Sequence, residues 1–297
     1  MRLLVVGASG FVGKNVVALA ANSGWTVAGT YLRAEDFPRY AAALGCEAIR
    51  YDLLSKIRTW DADVAVYLAG NSDHRASLAS PAEDLRRNVE GLVLFLEGFS
   101  GGVVFLGSAA VYDGLEGRVS PESTLRPRLP YAISKLASEH YLRSYESRDR
   151  IPWATALRLY YAYGPYDRPS RLFPRVIQAS RSGARVFEIS SIQGSLLDPL
   201  YSEDVARAVL AAARGNARGR TLDLCSGHSR PVPDLVREIL GALGSDMALV
   251  ERPQKEETPA RFLSDPKPCQ EELGLGSFLP IREGVSRTAA WLAGAEA

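Results

Sequence analysis

Cysteine and histidine are scarce in this 297-residue chain, and each scarcity removes a class of function. Cys46, Cys225 and Cys269 are odd in number and form no Cys-x-x-Cys. They read as free thiols, which excludes a disulfide frame or a zinc cage. His74, His140 and His228 are dispersed, none beside another histidine or cysteine at ligand spacing, so no metal is expected. An excess of either charge is also missing: 35 basic against 34 acidic residues give a formal net charge of +1. No overall field attracts nucleic acid or an anionic membrane. The run Arg143 to Arg150 interleaves Glu146 and Asp149 with arginines and reads as a solvated helix end. Long apolar runs are absent at the start, where Met1-Arg2-Leu3-Leu4-Val5-Val6 is broken by Gly7 too soon for a signal sequence or membrane span. A cytoplasmic protein is expected.

What remains is a chain long enough to bury a core as one large α/β domain or two lobes. Strand-length apolar runs recur at Leu3 to Val6, Thr26 to Thr30, Ala48 to Tyr51, Val64 to Leu68, Val103 to Leu106 and Trp153 to Leu157. Amphipathic stretches such as Lys14 to Ser23 and Ala82 to Phe99 lie between them. This alternation predicts an α/β fold, a doubly wound parallel sheet covered on both faces. Beyond Gly164-Pro165 the rhythm changes. Pro165, Pro169 and Pro174 interrupt the chain, a helical segment runs to about Ser182, and helices over Asp204 to Arg214 and Val232 to Leu243 flank a strand at Thr221 to Leu224. A Pro-rich stretch from Arg252 to Pro268 follows. The expected division is a dinucleotide-binding domain over 1–165, to which 204–226 returns, and a smaller lobe of 166–203 and 227–297.

Directly behind the first strand stands Gly7-Ala8-Ser9-Gly10-Phe11-Val12-Gly13. Glycines at 7, 10 and 13 permit a sharp turn, close backbone approach to a pyrophosphate, and tight packing of helix on strand. The phosphates then meet the free N–H groups of the helix beginning near Phe11. An acid at the end of the second strand would bind the adenosine ribose hydroxyls, but that end reads Gly29-Thr30-Tyr31-Leu32-Arg33. Arg33 can pair with the 2′-phosphate of NADP. Glu35 and Asp36, a little further on, keep NAD open, with NADP slightly favoured.

Tyr131 and Lys135 make the only Tyr-x-x-x-Lys in the chain. Residues four apart on a helix point the same way, so the Lys135 ammonium can favour an ionised Tyr131. A tyrosine serving as base near neutral pH needs its pKa lowered by about three pH units, or ~4 kcal/mol. A lysine and an oxidised nicotinamide together can supply that.

With these residues in place the chain resembles the extended short-chain dehydrogenases/reductases of the NAD-dependent epimerase/dehydratase family, along nearly its whole length. Further matching elements are Asp52 after the third strand, followed by Leu53; Leu68-Ala69-Gly70 after the fourth; Asn88-Val89-Glu90-Gly91; Ser108-Ala109-Ala110-Val111-Tyr112 after the fifth; Arg158 with Tyr163-Gly164-Pro165; Tyr201 to Ala206; and Asp223 to Gly227. The resemblance implies that Asp52 approaches the adenine, that Leu68, Ala69 and Gly70 line the cofactor, and that Ser108, Tyr131 and Lys135 are catalytic. Tyr131 would exchange a proton with a substrate hydroxyl or ketone, Ser108 would polarise the same oxygen, and Lys135 would also hold the nicotinamide ribose. Ser108 capping a turn and Asn88 stabilising a helix are the plainer readings of those two residues.

Family members that eliminate water across a 4-keto sugar carry an acidic pair where this chain has Ala109 and Ala110, which disfavours a 4,6-dehydratase. A 4-ketoreductase or 4-epimerase acting on a nucleotide-sugar is the expected activity. Two departures bear on the substrate: Tyr161 stands where many epimerases have an asparagine touching the diphosphate, and Leu197 stands where they have an arginine before the aspartate, here Asp198. Arg168, Arg171 and Arg175 offer an alternative phosphate clamp. A non-catalytic dinucleotide-binding sensor or scaffold, or a reductase of a non-sugar carbonyl, is the alternative. The resemblance also implies a homodimer formed through Ala82 to Phe99 and Tyr131 to Tyr145, although packing on their own sheet explains the same apolar residues.

Overall fold

Seven parallel strands form the central sheet of the computed structural model, which describes residues 1–254 and 260–295. In chain order they are Arg2–Val6, Thr26–Tyr31, Glu47–Arg50, Val64–Tyr67, Gly102–Ser108, Ala154–Leu159 and Thr221–Leu224. Side by side they run seventh, sixth, fifth, fourth, first, second, third. The order reverses between the first and fourth strands, paired Leu3 to Val64 and Val5 to Val66. A crevice therefore opens beyond their carboxyl ends, where Gly7 and Leu68 leave the sheet. The doubly wound sheet predicted from the apolar alternation is present.

One face of the sheet is covered by helices Phe11–Asn22 and Ser202–Ala213. Val16, Val17 and Ala20 meet Val205, Ala208, Val209 and Ala212 there, and the alanines let the backbones approach closely. Tyr67, Leu92, Phe95, Phe105 and Leu142 fill the other face. A separate core gathers Tyr163, Phe173, Ile177, Val236, Ile239 and Val285 from helices Leu172–Arg181, Val232–Leu243 and Ile281–Ala295 and the strand Tyr161–Tyr163. That strand pairs with Pro199–Tyr201 and joins this core to the end of the sixth sheet strand. Of the Pro-rich stretch Arg252 to Pro268, residues 255–259 lie outside the described residues.

The first helix begins at Phe11, where it was expected, behind Gly10 in an extended N-cap conformation. Two local expectations change. Ala82 to Phe99 is not one regular helix: Pro81–Leu85 passes through a π-helical turn, Arg86–Glu90, into Gly91–Glu97. Such turns are rare and tend to mark functional positions. The arginine run is more than a solvated end, since Arg143 donates to the Ala154 carbonyl at 3.0 Å and to Thr221 Oγ1 at 3.1 Å. It ties its helix to two sheet strands.

Candidate active site

The glycine loop is closed by steric need at two positions. Gly7 has φ +87°, and a Cβ there would lie 2.8 Å from the Ala69 nitrogen. A Cβ on Gly13 would stand 2.4 Å from the Gly7 carbonyl oxygen. The Gly7 N–H donates to Thr30 Oγ1 at 2.9 Å, and the Gly10 N–H to the Gly7 carbonyl at 3.1 Å. No side chain caps the helix that follows, so its first N–H groups, next to Ser9, Phe11 and Val12, can receive an anion.

Leu68, Ala69 and Gly70 run alongside this loop, with the Leu68 N–H donating to the Val6 carbonyl at 2.9 Å. Gly70 has φ +127°, and a Cβ there would fall 2.2 Å from Asn88 Oδ1. That buried oxygen has no hydrogen-bond partner among the described residues. Asp52 is exposed and accepts the Leu54 N–H at 3.1 Å. Leu53 packs against Gly91. Arg33 is exposed. The neighbouring charge pair is Lys14 with Asp36 at 2.7 Å, and this holds the Asp36 carboxyl below its usual range.

The helix Pro130–Glu146 starts with Pro130 in its first turn, behind an extended Leu129. Tyr131 and Lys135 are one turn apart on its buried side, each 6% exposed. Lys135 Nζ lies 5.9 Å from the centre of the Tyr131 ring, 5.1 Å from that of Phe105, and 3.4 Å from the Leu106 carbonyl. Burial pushes its pKa down to about 8, while the carboxylates of Asp84 and Glu139 pull it back up. Ser108 ends the fifth strand, accepts the Ala110 N–H at 3.2 Å and lies near enough to Tyr131 to favour its ionised form.

The direction at Tyr131 differs from the expectation. Burial raises its pKa above the ordinary value and Asp84 raises it further, while Ser108 and the Arg171 guanidinium draw it down. In the protein alone desolvation outweighs the helpful charges.

Of the three arginines considered for a phosphate clamp, Arg171 and Arg168 lie at the crevice and Arg175 does not. The Arg171 guanidinium sits 4.5 Å from the Tyr161 ring centre and 5.9 Å from that of Phe11, with Asp167 Oδ1 at 3.5 Å. Arg168 is exposed and its guanidinium donates to Ser72 Oγ at 3.5 Å. Arg175 turns elsewhere, to the Glu188 carbonyl at 3.5 Å and the Phe187 ring. Asp198 accepts the N–H groups of Ser226 and Gly227 and so ties the turn before Pro199 to the loop after the seventh strand.

The sequence reading missed three features. The His74 ring lies 4.7 Å from the Tyr131 ring, centroid to centroid. Asp84 is buried and takes hydrogen bonds from Asn71, Asn88 and Ser134. One turn beyond Lys135, Glu139 pairs with Arg158 at 2.8 Å; Arg158 donates to the Tyr112 hydroxyl, which donates to Asp223. Asp84 and Asn88 are four apart on one helix face, a spacing visible in the chain; the other partners are too distant in sequence for local pattern to join them.

Residues 3–225 match the model of the NAD dependent epimerase/dehydratase family. The GDP-6-deoxy-D-mannose reductase of Pseudomonas aeruginosa is 28% identical, covering 86% of this chain and 84% of its own. The dTDP-glucose 4,6-dehydratase of Streptomyces griseus is 26% identical, covering 98% and 93%. Among solved structures, MoeE5 in complex with UDP-glucose and NAD superposes with a TM-score of 0.85 at 26% identity over the whole of both chains. No described helix is long and apolar enough to cross a membrane. With three quarters of its length matched by one family model and its sheet order that of a dinucleotide-binding fold, the chain belongs to the NAD dependent epimerase/dehydratase family of enzymes.

Proposed function

We propose that the protein interconverts a hydroxyl and a ketone on a nucleotide-sugar, as a 4-ketoreductase or 4-epimerase, using NADP or NAD. The observation that carries this reading is the meeting of Ser108, Tyr131 and Lys135 at the carboxyl edge of the sheet, beside the glycine loop. The loop backbone, the uncapped helix start and the unpartnered Asn88 Oδ1 fit a dinucleotide. Ser9, Gly10, Phe11 and Val12 would hold its diphosphate, Asp52 and Leu53 its adenine end, and Leu68, Ala69, Gly70, Asn88 and Lys135 its nicotinamide half. A bound nicotinamide supplies the two-electron donor or acceptor for the reacting carbon.

The chain's own groups move and hold the proton. Tyr131 gives a proton to the substrate oxygen in reduction and takes it in oxidation, and Ser108 hydrogen-bonds the same oxygen as charge develops there. Lys135 places a positive charge beneath the tyrosine and steadies its ionised form. Arg171, stacked on Tyr161 beside Phe11, would meet the substrate diphosphate, with Arg168 nearer solvent. Residues 166–203 and 227–297 would form the substrate lobe above the 1–165 domain.

The relatives do not separate dehydratase from reductase, since both activities occur among them. The favoured chemistry rests on Ala109 and Ala110, which open the turn after Ser108 without a carboxylate for elimination. MoeE5, whose complex holds UDP-glucose and NAD, supports a nucleotide-sugar substrate. A homodimer is proposed through the helices His74–Ala79, Pro81–Leu85 and Pro130–Glu146, which leave Leu78, Leu85, Ile133 and Tyr141 exposed.

The test starts with protein purified without added cofactor, its bound nucleotide released by denaturation and identified by mass spectrometry. Retained NAD or NADH indicates an epimerase that recycles its cofactor and removes Arg33 as a 2′-phosphate ligand. An empty site that binds NADPH more tightly than NADH indicates a ketoreductase. Turnover of nucleotide-sugars then follows, and a Tyr131→Phe protein that remains active overturns the mechanism.

A further inference from the structure

Asp84 is a carboxylate 2% exposed, on the turn that leads into the π-helical segment. Its Oδ2 accepts the Ser134 hydroxyl at 2.6 Å; its Oδ1 accepts the side-chain amides of Asn71 at 2.7 Å and Asn88 at 3.0 Å. These donors belong to three segments. Ser134 lies between Tyr131 and Lys135 on the catalytic helix, Asn71 follows Gly70 in the loop after the fourth strand, and Asn88 is the residue whose remaining oxygen faces Gly70. A second bond in the same place, Ser138 Oγ to the Asn88 carbonyl at 3.0 Å, reinforces the join.

We propose that Asp84 is a positioning residue of the active site, whose carboxylate pins the Tyr131–Lys135 helix to the Gly70–Asn71 loop and whose fixed negative charge acts on Tyr131. This rests on Tyr131 and Lys135 as the acid/base pair. Three neutral donors satisfy the carboxylate and hold it in place, and charge-assisted bonds of this kind are the stronger ones. A carboxylate is stable in so buried a place only with such donors and a nearby cation. The charged and titratable groups around the pair are Lys135 and Glu139 on its own helix, Asp84 and His74 from the helices packed on it, and Arg171 from across the crevice. Asp84 favours the charged lysine and disfavours the tyrosinate, so it couples the two in opposite senses. Its charge tends to keep Tyr131 protonated while keeping Lys135 charged.

Asp84→Asn separates the two roles. An amide of the same shape still accepts from the asparagines and can donate to Ser134, but the charge is gone. The readout is the tyrosinate absorption of the protein titrated with pH, with and without NAD, from which the Tyr131→Phe signal is subtracted. Asp84→Asn is expected to move the Tyr131 midpoint down by about half to one pH unit. Ser134→Ala retains the charge and leaves the midpoint in place. Hydrogen exchange in the first turns of Pro130–Glu146 should quicken in Ser134→Ala and Asp84→Ala and stay near wild type in Asp84→Asn. An unmoved midpoint in Asp84→Asn overturns the charge effect on Tyr131, and unchanged exchange in both Asp84→Ala and Ser134→Ala overturns the pin. A Tyr131→Phe protein that still turns over nucleotide-sugars overturns the acid/base reading instead, and the Asp84 shift is still measurable in that event.

Discussion

The His74 imidazole lies against the Tyr131 ring, with centroids 4.7 Å apart and planes 35° from parallel. His74 opens the short helix His74–Ala79, whose N-cap Asp73 accepts the N–H groups of Arg75 and Ala76. The capped turn thus presents an aromatic wall to Tyr131. Contacts between flat rings of this kind contribute about 0.5–1.5 kcal/mol beyond the area they bury. His74→Ala is expected to lower kcat by about 2–10-fold while leaving NAD affinity unchanged, and His74→Phe is expected to restore most of the loss. Steady-state kinetics on both variants check this. Equal losses in the two would show that the ring contact is not what matters.

The glycine loop makes a sharper prediction. A methyl group at Gly13 must displace backbone atoms of Gly7 and Ala8, whereas one at Gly24 meets nothing within 4 Å. Gly13→Ala should destabilise the fold by about 1–3 kcal/mol and weaken cofactor binding at least about tenfold. Urea unfolding and fluorescence titration with NADH and NADPH measure the two effects. Wild-type affinity in Gly13→Ala would show that the helix need not pack so closely on the strand for the dinucleotide to bind.

The Glu139–Arg158 pair is nearly sealed, its side chains 7% and 5% exposed. Removing one partner leaves the other charged in a dry place, at a cost of about 3–5 kcal/mol, whereas replacing both with apolar groups costs far less. Arg158→Met is therefore expected to unfold at markedly lower urea than Glu139→Met/Arg158→Met. If the double variant is the weaker, Glu139 is stabilised without Arg158, by the neighbouring Lys135 charge, and the sealed pair is not what holds it.

Much of the fold could be read from the chain because its parallel strands are buried on both faces and show as continuous apolar runs. The glycine loop was legible for a related reason: a close approach leaves its mark as residues without side chains. Tyr131 and Lys135 were legible because helical geometry fixes what lies four residues away. The missed groups are of another kind. Asp84 meets Ser134 across 50 positions and Tyr112 meets Asp223 across 111, and no local periodicity encodes such encounters. The π-helical turn was hidden as well, since an amphipathic stretch looks alike whether or not one turn is widened. Nor could spacing show that burial, acting on the whole site, would raise the Tyr131 pKa in the protein alone.

Asp167 gives the stability of the fold a pH dependence whose sign can be worked out. Its side chain is fully buried, one oxygen has no partner among the described residues, and burial pushes its pKa up to about 6 despite the Arg171 and Arg168 charges. A free aspartate titrates near ~3.9, so as pH rises the unfolded chain loses this proton first. The folded protein binds the proton more tightly, and its stability falls between the two pKa values, by at most about 3 kcal/mol, with no further loss above them. Asp167→Asn keeps an oxygen for the Arg168 N–H and lacks the titration. Its urea midpoint should match wild type near pH ~3 and exceed it by the equivalent of about 1–3 kcal/mol near pH ~7, the lost Arg171 contact offsetting part of the gain. Asp223, also raised to about 6, is present in both proteins and cancels in the comparison. A gap that is constant with pH, or widest in acid, would mean that Asp167 is held as a carboxylate by Arg171 and that the pair, not the burial, decides its charge.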